Sequence, residues 1–193
     1  MFRFLRVFLI TTAVLCAFTG DLVVPQAAMA DPFGEEEARF ASGDGYALYL
    51  ALGIALPLLT DGEQGTDHAL RTLDAVMVSG FLSEGLKALI PENRPDNSDD
   101  KSFPSGHASA AFAVAAAESA WHPKQAALWY LGAALIAESR VELSRHRAVD
   151  VVAGAALGYF TAQLELSSPR GLILSPLIEP DGGCVGVQVT AIF

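Results

Sequence analysis

Five apolar segments, at roughly 46–59, 68–90, 105–121, 124–139 and 147–165, leave this chain few folds to choose from. Ala, Leu and Gly dominate them without strict alternation, so each reads as a helix rather than a strand. The joins "TDGEQGTD", "PENRPDNSDDKSFP", "WHPK" and "SRVELSRH" supply the Gly, Pro, Asp and Ser that stop helices and turn the chain. The expectation is an all-α bundle of about five core helices over 31–168, led in by a short helix at "EEEARF". After Pro169 the pattern changes. Val185, Val187, Val189 and Ala191 alternate with Gly186, Gln188 and Thr190, and "EPDGG" precedes them, which predicts a C-terminal β-hairpin over 169–193.

The longest uninterrupted apolar run, Tyr46–Leu59, has 14 residues. It would cover about 21 Å as helix, against roughly 30 Å of bilayer hydrocarbon. The second segment also carries Arg71, Asp74, Glu84 and Lys87. Short runs with interior charges predict a bundle buried in itself rather than in lipid. The formal charge of −10 argues against a nucleic-acid partner, whose binders are usually basic.

Residues 1–30 read as an export signal. Arg3 and Arg6 give a charged start, Val7 to Ala17 an apolar centre, and Ala28-Met29-Ala30 a small-x-small cleavage site. Cleavage after Ala30 predicts a periplasmic protein. It would also remove Cys16 and leave Cys184 alone, so no internal disulfide forms. The alternative keeps residues 4–24 as a membrane helix, placing the protein in the inner membrane with its site on the periplasmic face.

Three clusters carry the chemistry. Lys87 is followed after six residues by Arg94-Pro95; Pro104-Ser105-Gly106-His107 opens the third segment; Ser139-Arg140 is followed by His146 and, four residues on, Asp150. Lys87, Arg94 and Arg140 all fall at loop-facing helix ends, where three cations can converge on one anion, and arginine's fork suits phosphate oxygens. Ser105 is a natural N-cap, with the backbone N–H groups of Gly106 and His107 facing the same space as a helix-terminus anion site. His146 and Asp150 share a face if the last helix begins by His146. A carboxylate there can hold one imidazole nitrogen protonated and leave the other free to attack. His107, on another helix, can give a proton to a leaving oxygen. Nucleophile, orienting acid, proton donor and cationic cradle are the parts of phosphoryl transfer through a covalent phosphohistidine. The small residues behind His107, among them Ala110, Ala111 and Ala113, let neighbouring helices approach until their ends meet.

The pattern K-x6-R-P, P-S-G-H, S-R-x5-H-x3-D resembles the signature of the type 2 phosphatidic acid phosphatase (PAP2) superfamily, which also holds bacterial acid phosphatases and vanadium haloperoxidases. Every specified position is present between Lys87 and Asp150. Many members carry Gly two residues before the nucleophilic His, where this chain has Ser144, and Arg145 and Arg147 add charge beside it. The resemblance implies a metal-independent helical phosphatase without cofactor, with His146 as nucleophile, Asp150 its partner and His107 the acid. It implies that Lys87, Arg94, Ser105, Gly106 and Arg140 hold phosphate. The expected substrates are phosphomonoesters or pyrophosphates, lipid phosphates among them, with membrane association in view and the oligomeric state open. Two other functions fit parts of the pattern: a vanadate-dependent haloperoxidase, and a non-catalytic anion-binding envelope protein. His68 and His122 lie away from the clusters and read as structural, "DNSDD" as a solvated connection rimming the site, and Glu84 as an ion-pair partner of Lys87.

Overall fold

The computed structural model describes residues 34–169, 171–178 and 185–189. The predicted signal segment and Cys184 lie outside the described residues. Among the described residues six α-helices follow one another: α1 (Glu35–Ser42), α2 (Asp44–Thr60), α3 (Gly65–Leu89), α4 (Gly106–Trp121), α5 (Ala126–Glu142) and α6 (Ala148–Ser167). The last five are the five predicted segments, with ends moved by a few residues at most. Strands β1 (Leu174–Ile178) and β2 (Val185–Val189) then pair antiparallel, with Leu174 opposite Val189 and Ile178 opposite Val185.

α4 is the axis of the bundle, with α6, α5 and α3 packed around it. Its composition makes this possible. Ala108, Ala110, Ala111, Ala113, Ala115, Ala116 and Ala117 are all buried, so neighbours approach to backbone contact. The closest approach is to α6. A Cβ built on Gly154 would stand 2.3 Å from the Ser105 carbonyl oxygen, and one on Gly158 only 1.9 Å from that of Ser109. Only glycine allows that spacing. On the other side Ala111, Val114, Ala115, Trp129, Ala133 and Ile136 form an apolar core against which Tyr46, Tyr49 and Leu50 pack.

The end of the bundle away from the three clusters is closed by polar contacts that the sequence did not announce. Asp61 accepts from His68 Nδ1 at 2.6 Å and from His122 Nε2 at 2.9 Å, while His122 Nδ1 lies 3.3 Å from the buried Glu118. His68 also stacks on Trp121, with ring centroids 4.0 Å apart. The two histidines are structural, as read from the sequence, but they are clamps rather than idle loop residues.

The charges of α3 alter the expectation about lipid. Arg71 turns inward and donates to the Glu165 and Ser168 carbonyls at 2.9 and 3.0 Å. Asp74 is buried and accepts from the backbone N–H groups of Leu172 and Ile173 at 3.0 and 2.7 Å. With those two charges paired inside, Leu48, Leu52, Leu59, Phe81, Leu82, Leu128, Leu131, Val152, Phe160 and Leu164 are all exposed, while Glu84, at the site end of α3, stays exposed beside Lys87. The stretch Glu35–Thr60 is 26 residues long and apolar enough to cross a membrane. α3 and α6, at 25 and 20 residues, span about 37 and 30 Å, the thickness of bilayer hydrocarbon or more.

Candidate functional site

The three clusters meet at one end of the bundle, around a cavity of about 550 Å³ lined by Lys87, Arg94, Gly106, His107, Arg140 and His146. Six of the eight residues singled out in the sequence therefore share one space. Ser105 and Asp150 stand behind it.

Lys87 lies in the last turn of α3, where a cation is favoured by the unsatisfied carbonyls. Its Nζ is 2.6 Å from Glu84 Oε1, the pairing expected from their spacing. A Cβ on Gly106 would stand 3.4 Å from both Lys87 Nζ and Ser83 Oγ, so the first residue of α4 presents its bare backbone to these two groups. Ser83 is fully buried, lines the cavity, and has no hydrogen-bond partner for its hydroxyl among the described residues. Ser105 caps α4, its Oγ 3.5 Å from the Ala108 N–H, and its own N–H donates to the Asp150 carbonyl at 2.9 Å. That bond ties the mouth of α4 to the first turn of α6.

Arg94 comes from the connection between α3 and α4. Its Nε donates to Asp99 Oδ1 at 2.7 Å. The Lys101 N–H and then the Arg94 guanidinium hold the Asp99 carboxyl below the usual range. Asp96 is likewise lowered, by Ser98 first, and pairs with Arg145 at 3.1 Å. The acidic run thus anchors Arg94 and Arg145, where the sequence suggested only a solvated connection rimming the site.

His146 is the most constrained group. It precedes α6 rather than opening it, because that helix begins at Ala148 with Arg147 as its N-cap. Its Nδ1 is 2.7 Å from the Ser102 carbonyl oxygen, and its Nε2 is 3.1 Å from Arg94 NH1. A carbonyl can only accept and a guanidinium can only donate, so the tautomer follows: Nδ1 carries the hydrogen and Nε2 keeps its lone pair. Asp150 does not take the Nδ1 hydrogen bond expected of it. Its Oδ2 lies 3.8 Å from Nδ1 and accepts instead from Ser102 Oγ at 2.5 Å and the Arg147 N–H at 2.8 Å. Asp150 acts on the imidazole through the field and through Ser102, whose two groups bridge them.

The opposite wall is built by the junction of α1 and α2. The His107 ring lies 4.2 Å from that of Tyr46 with a 32° tilt. Arg140 NH1 donates to Ser42 Oγ, and its buried Nε has no partner among the described residues. The cavity continues along Val76, Met77, Gly80, Phe81 and Ala110 as an apolar wall. Sequence reasoning missed Ser42, Tyr46, Ser83 and Ser102. Ser83 alone carried a signal, lying one helical turn before Lys87 on the same face.

Ser144 explains one departure in the motif. Its φ is +52°, in the left-handed region that favours glycine. Among the described residues no group of three or more His, Cys, Asp or Glu is placed to hold a metal ion.

The PAP2 superfamily profile matches residues 68–172, more than half of the chain. No curated protein matches it. LpxE of Aquifex aeolicus superposes with a TM-score of 0.52 at 23% identity, covering 72% of this chain and 98% of that one. A transmembrane PAP2 type phosphatidylglycerolphosphate phosphatase from Bacillus subtilis gives a TM-score of 0.56 at 22% identity, over 85% and 94% of the two chains. At these identities the two likenesses are of fold.

Proposed function

The chain belongs to the PAP2 superfamily, and from that premise we propose that it is a metal-independent phosphatase of membrane lipid phosphates working through a phosphohistidine. The carrying observation is the state of His146: a buried imidazole with Nδ1–H held by Ser102 and the Nε2 lone pair turned to Arg94 at the cavity. In this reading the phosphoryl group enters among Lys87, Arg94, Arg140 and the N–H groups at the start of α4. Arg94 then donates to its oxygens, which releases the Nε2 lone pair. Nε2 attacks phosphorus, the bond to the leaving oxygen breaks, and His107 gives that oxygen a proton. Charge left on His146 is stabilised by Asp150 nearby. Water, giving its proton back to His107, attacks the phosphohistidine and orthophosphate departs. The unpartnered Ser83 hydroxyl and Arg140 Nε are donors held ready for phosphate oxygens.

Lipid substrates are supported by the apolar wall behind the cradle, and a membrane location by the exposed leucines and phenylalanines together with the inward-turned charges. The Bacillus subtilis neighbour, a transmembrane phosphatidylglycerolphosphate phosphatase, fits that assignment. Orientation follows from the sequence: Arg3 and Arg6 favour a cytoplasmic start, so the chain emerges outside before α1, and the site end of α2 faces the periplasm. Phosphate release from a panel of lipid phosphates, prenyl pyrophosphates and soluble esters, with and without EDTA, tests the activity. Release that survives chelation is expected; release lost with EDTA and restored by added metal would reject it. Alkaline carbonate should leave the protein in the membrane pellet, and extraction into the supernatant would contradict the location.

A further inference from the structure

We propose that the junction of α1 and α2 is a positioning strap for the leaving-group side of the site, in which Tyr46 holds His107 as a proton donor and Ser42 holds Arg140. The proposal rests on the reading of His107 as general acid. Ser42 closes α1. A neutral imidazole is too weak an acid to protonate a leaving oxygen, so the donor form of His107 is the imidazolium. Burial first, and then Arg140, His146 and Lys87, disfavour that charge. The Tyr46 ring, 4.2 Å from the imidazole, offers the compensation at hand. Its negative face attracts an imidazolium and keeps it from turning off the leaving oxygen. Ser42, four positions before Tyr46, holds Arg140 by its side chain, leaving Arg140 Nε for phosphate. Ser42 and Tyr46 lie outside the three motif clusters and outside the matched segment 68–172.

The test uses the full-length protein in detergent, with kcat and KM measured on an alkyl phosphate and on p-nitrophenyl phosphate. The alkyl ester needs the proton and the nitrophenyl ester does not. Tyr46→Leu should lower kcat on the alkyl ester by about tenfold, the effect of losing one desolvated cation–π contact, and change the nitrophenyl ester by less than about threefold. Tyr46→Phe and Tyr46→Trp, which keep a ring, should preserve the wild-type ratio between the two esters. Ser42→Ala should raise KM on both esters alike and leave the ratio unchanged. Equal loss on both esters in Tyr46→Leu, or no loss on either, overturns the strap. If Tyr46→Leu does not fold, the Phe and Trp variants decide: a ratio shifted by either one overturns it as well. His107→Ala run beside them separates the two levels. A split there without a split in Tyr46→Leu removes the strap alone, whereas no split in His107→Ala removes the general-acid reading and the strap with it.

Discussion

Replacing Gly154 by alanine tests whether the site depends on the backbone contact between α4 and α6. The added Cβ would lie 2.3 Å from the Ser105 carbonyl oxygen and 3.2 Å from its carbon. An ordinary carbon-to-oxygen approach is about 3.3 Å, so the helices must part by about 1 Å. The obstacle is backbone and cannot rotate away. Helix propensity alone would make the change stabilising by up to about 1 kcal/mol, whereas overpacking of a close contact costs about 1–3 kcal/mol. The clash is expected to win, with a net loss of about 1–2 kcal/mol. Activity should suffer more, because Ser105 caps the helix that carries His107 and is bonded to Asp150. A displacement of about 1 Å between catalytic groups costs on the order of 10²-fold in rate. The assay is kcat on p-nitrophenyl phosphate in detergent, with the thermal midpoint by circular dichroism. Gly85→Ala is the matched control, since a Cβ there meets nothing within 4 Å. The reasoning is refuted if Gly154→Ala equals wild type in both readings, or if Gly85→Ala is as damaged.

His107→Ala should lose on the order of 10²-fold or more on an alkyl phosphate and far less on p-nitrophenyl phosphate, because general-acid catalysis acts on the bond being broken; equal loss would make His107 a binding or structural group. Ser144→Gly should stabilise the protein by about 0.5–1 kcal/mol, relief of left-handed strain exceeding the entropy added to the unfolded chain, and an unchanged or lowered midpoint would contradict this. Asp61 has its carboxyl lowered to about 2: burial works against the shift, and hydrogen bonds from His68, Thr60 and His122 overcome it. A depressed carboxyl stabilises the fold above its unfolded value near 4 and loses that contribution as pH falls toward 2. The thermal advantage of wild type over Asp61→Asn should therefore shrink between about pH 4 and pH 2, and an advantage constant across that window would refute the clamp.

What could be read from the sequence was whatever depends on local order. Pro91 stops α3, Ser105 caps α4, and the fixed spacings from Lys87 to Arg94 and from Arg140 to Asp150 put cations and imidazoles at one end of a bundle. What could not be read depends on which groups meet across the fold. The partner of His146 Nδ1 is a backbone carbonyl, at Ser102, and every residue has one, so no side-chain pattern marks it. Ser42 meets Arg140 across 98 positions, and nothing local in "ASGDGY" points there. The interior charges of α3 argued against lipid only while their direction was unknown; Arg71 and Asp74 turn inward, and the apolar face they leave outside inverts the argument. Ser144 was visible as a departure, but its cost appears only with its positive φ.

The phosphoenzyme is the most direct measure of the central claim that His146 Nε2 is the nucleophile. Protein quenched in alkaline denaturant during turnover and mapped by mass spectrometry should carry an acid-labile, alkali-stable phosphate on the peptide containing His146. His146→Ala should carry none and release no phosphate from either class of ester while keeping the wild-type helical content. Phosphate found on another residue, or normal turnover by His146→Ala, would contradict the account.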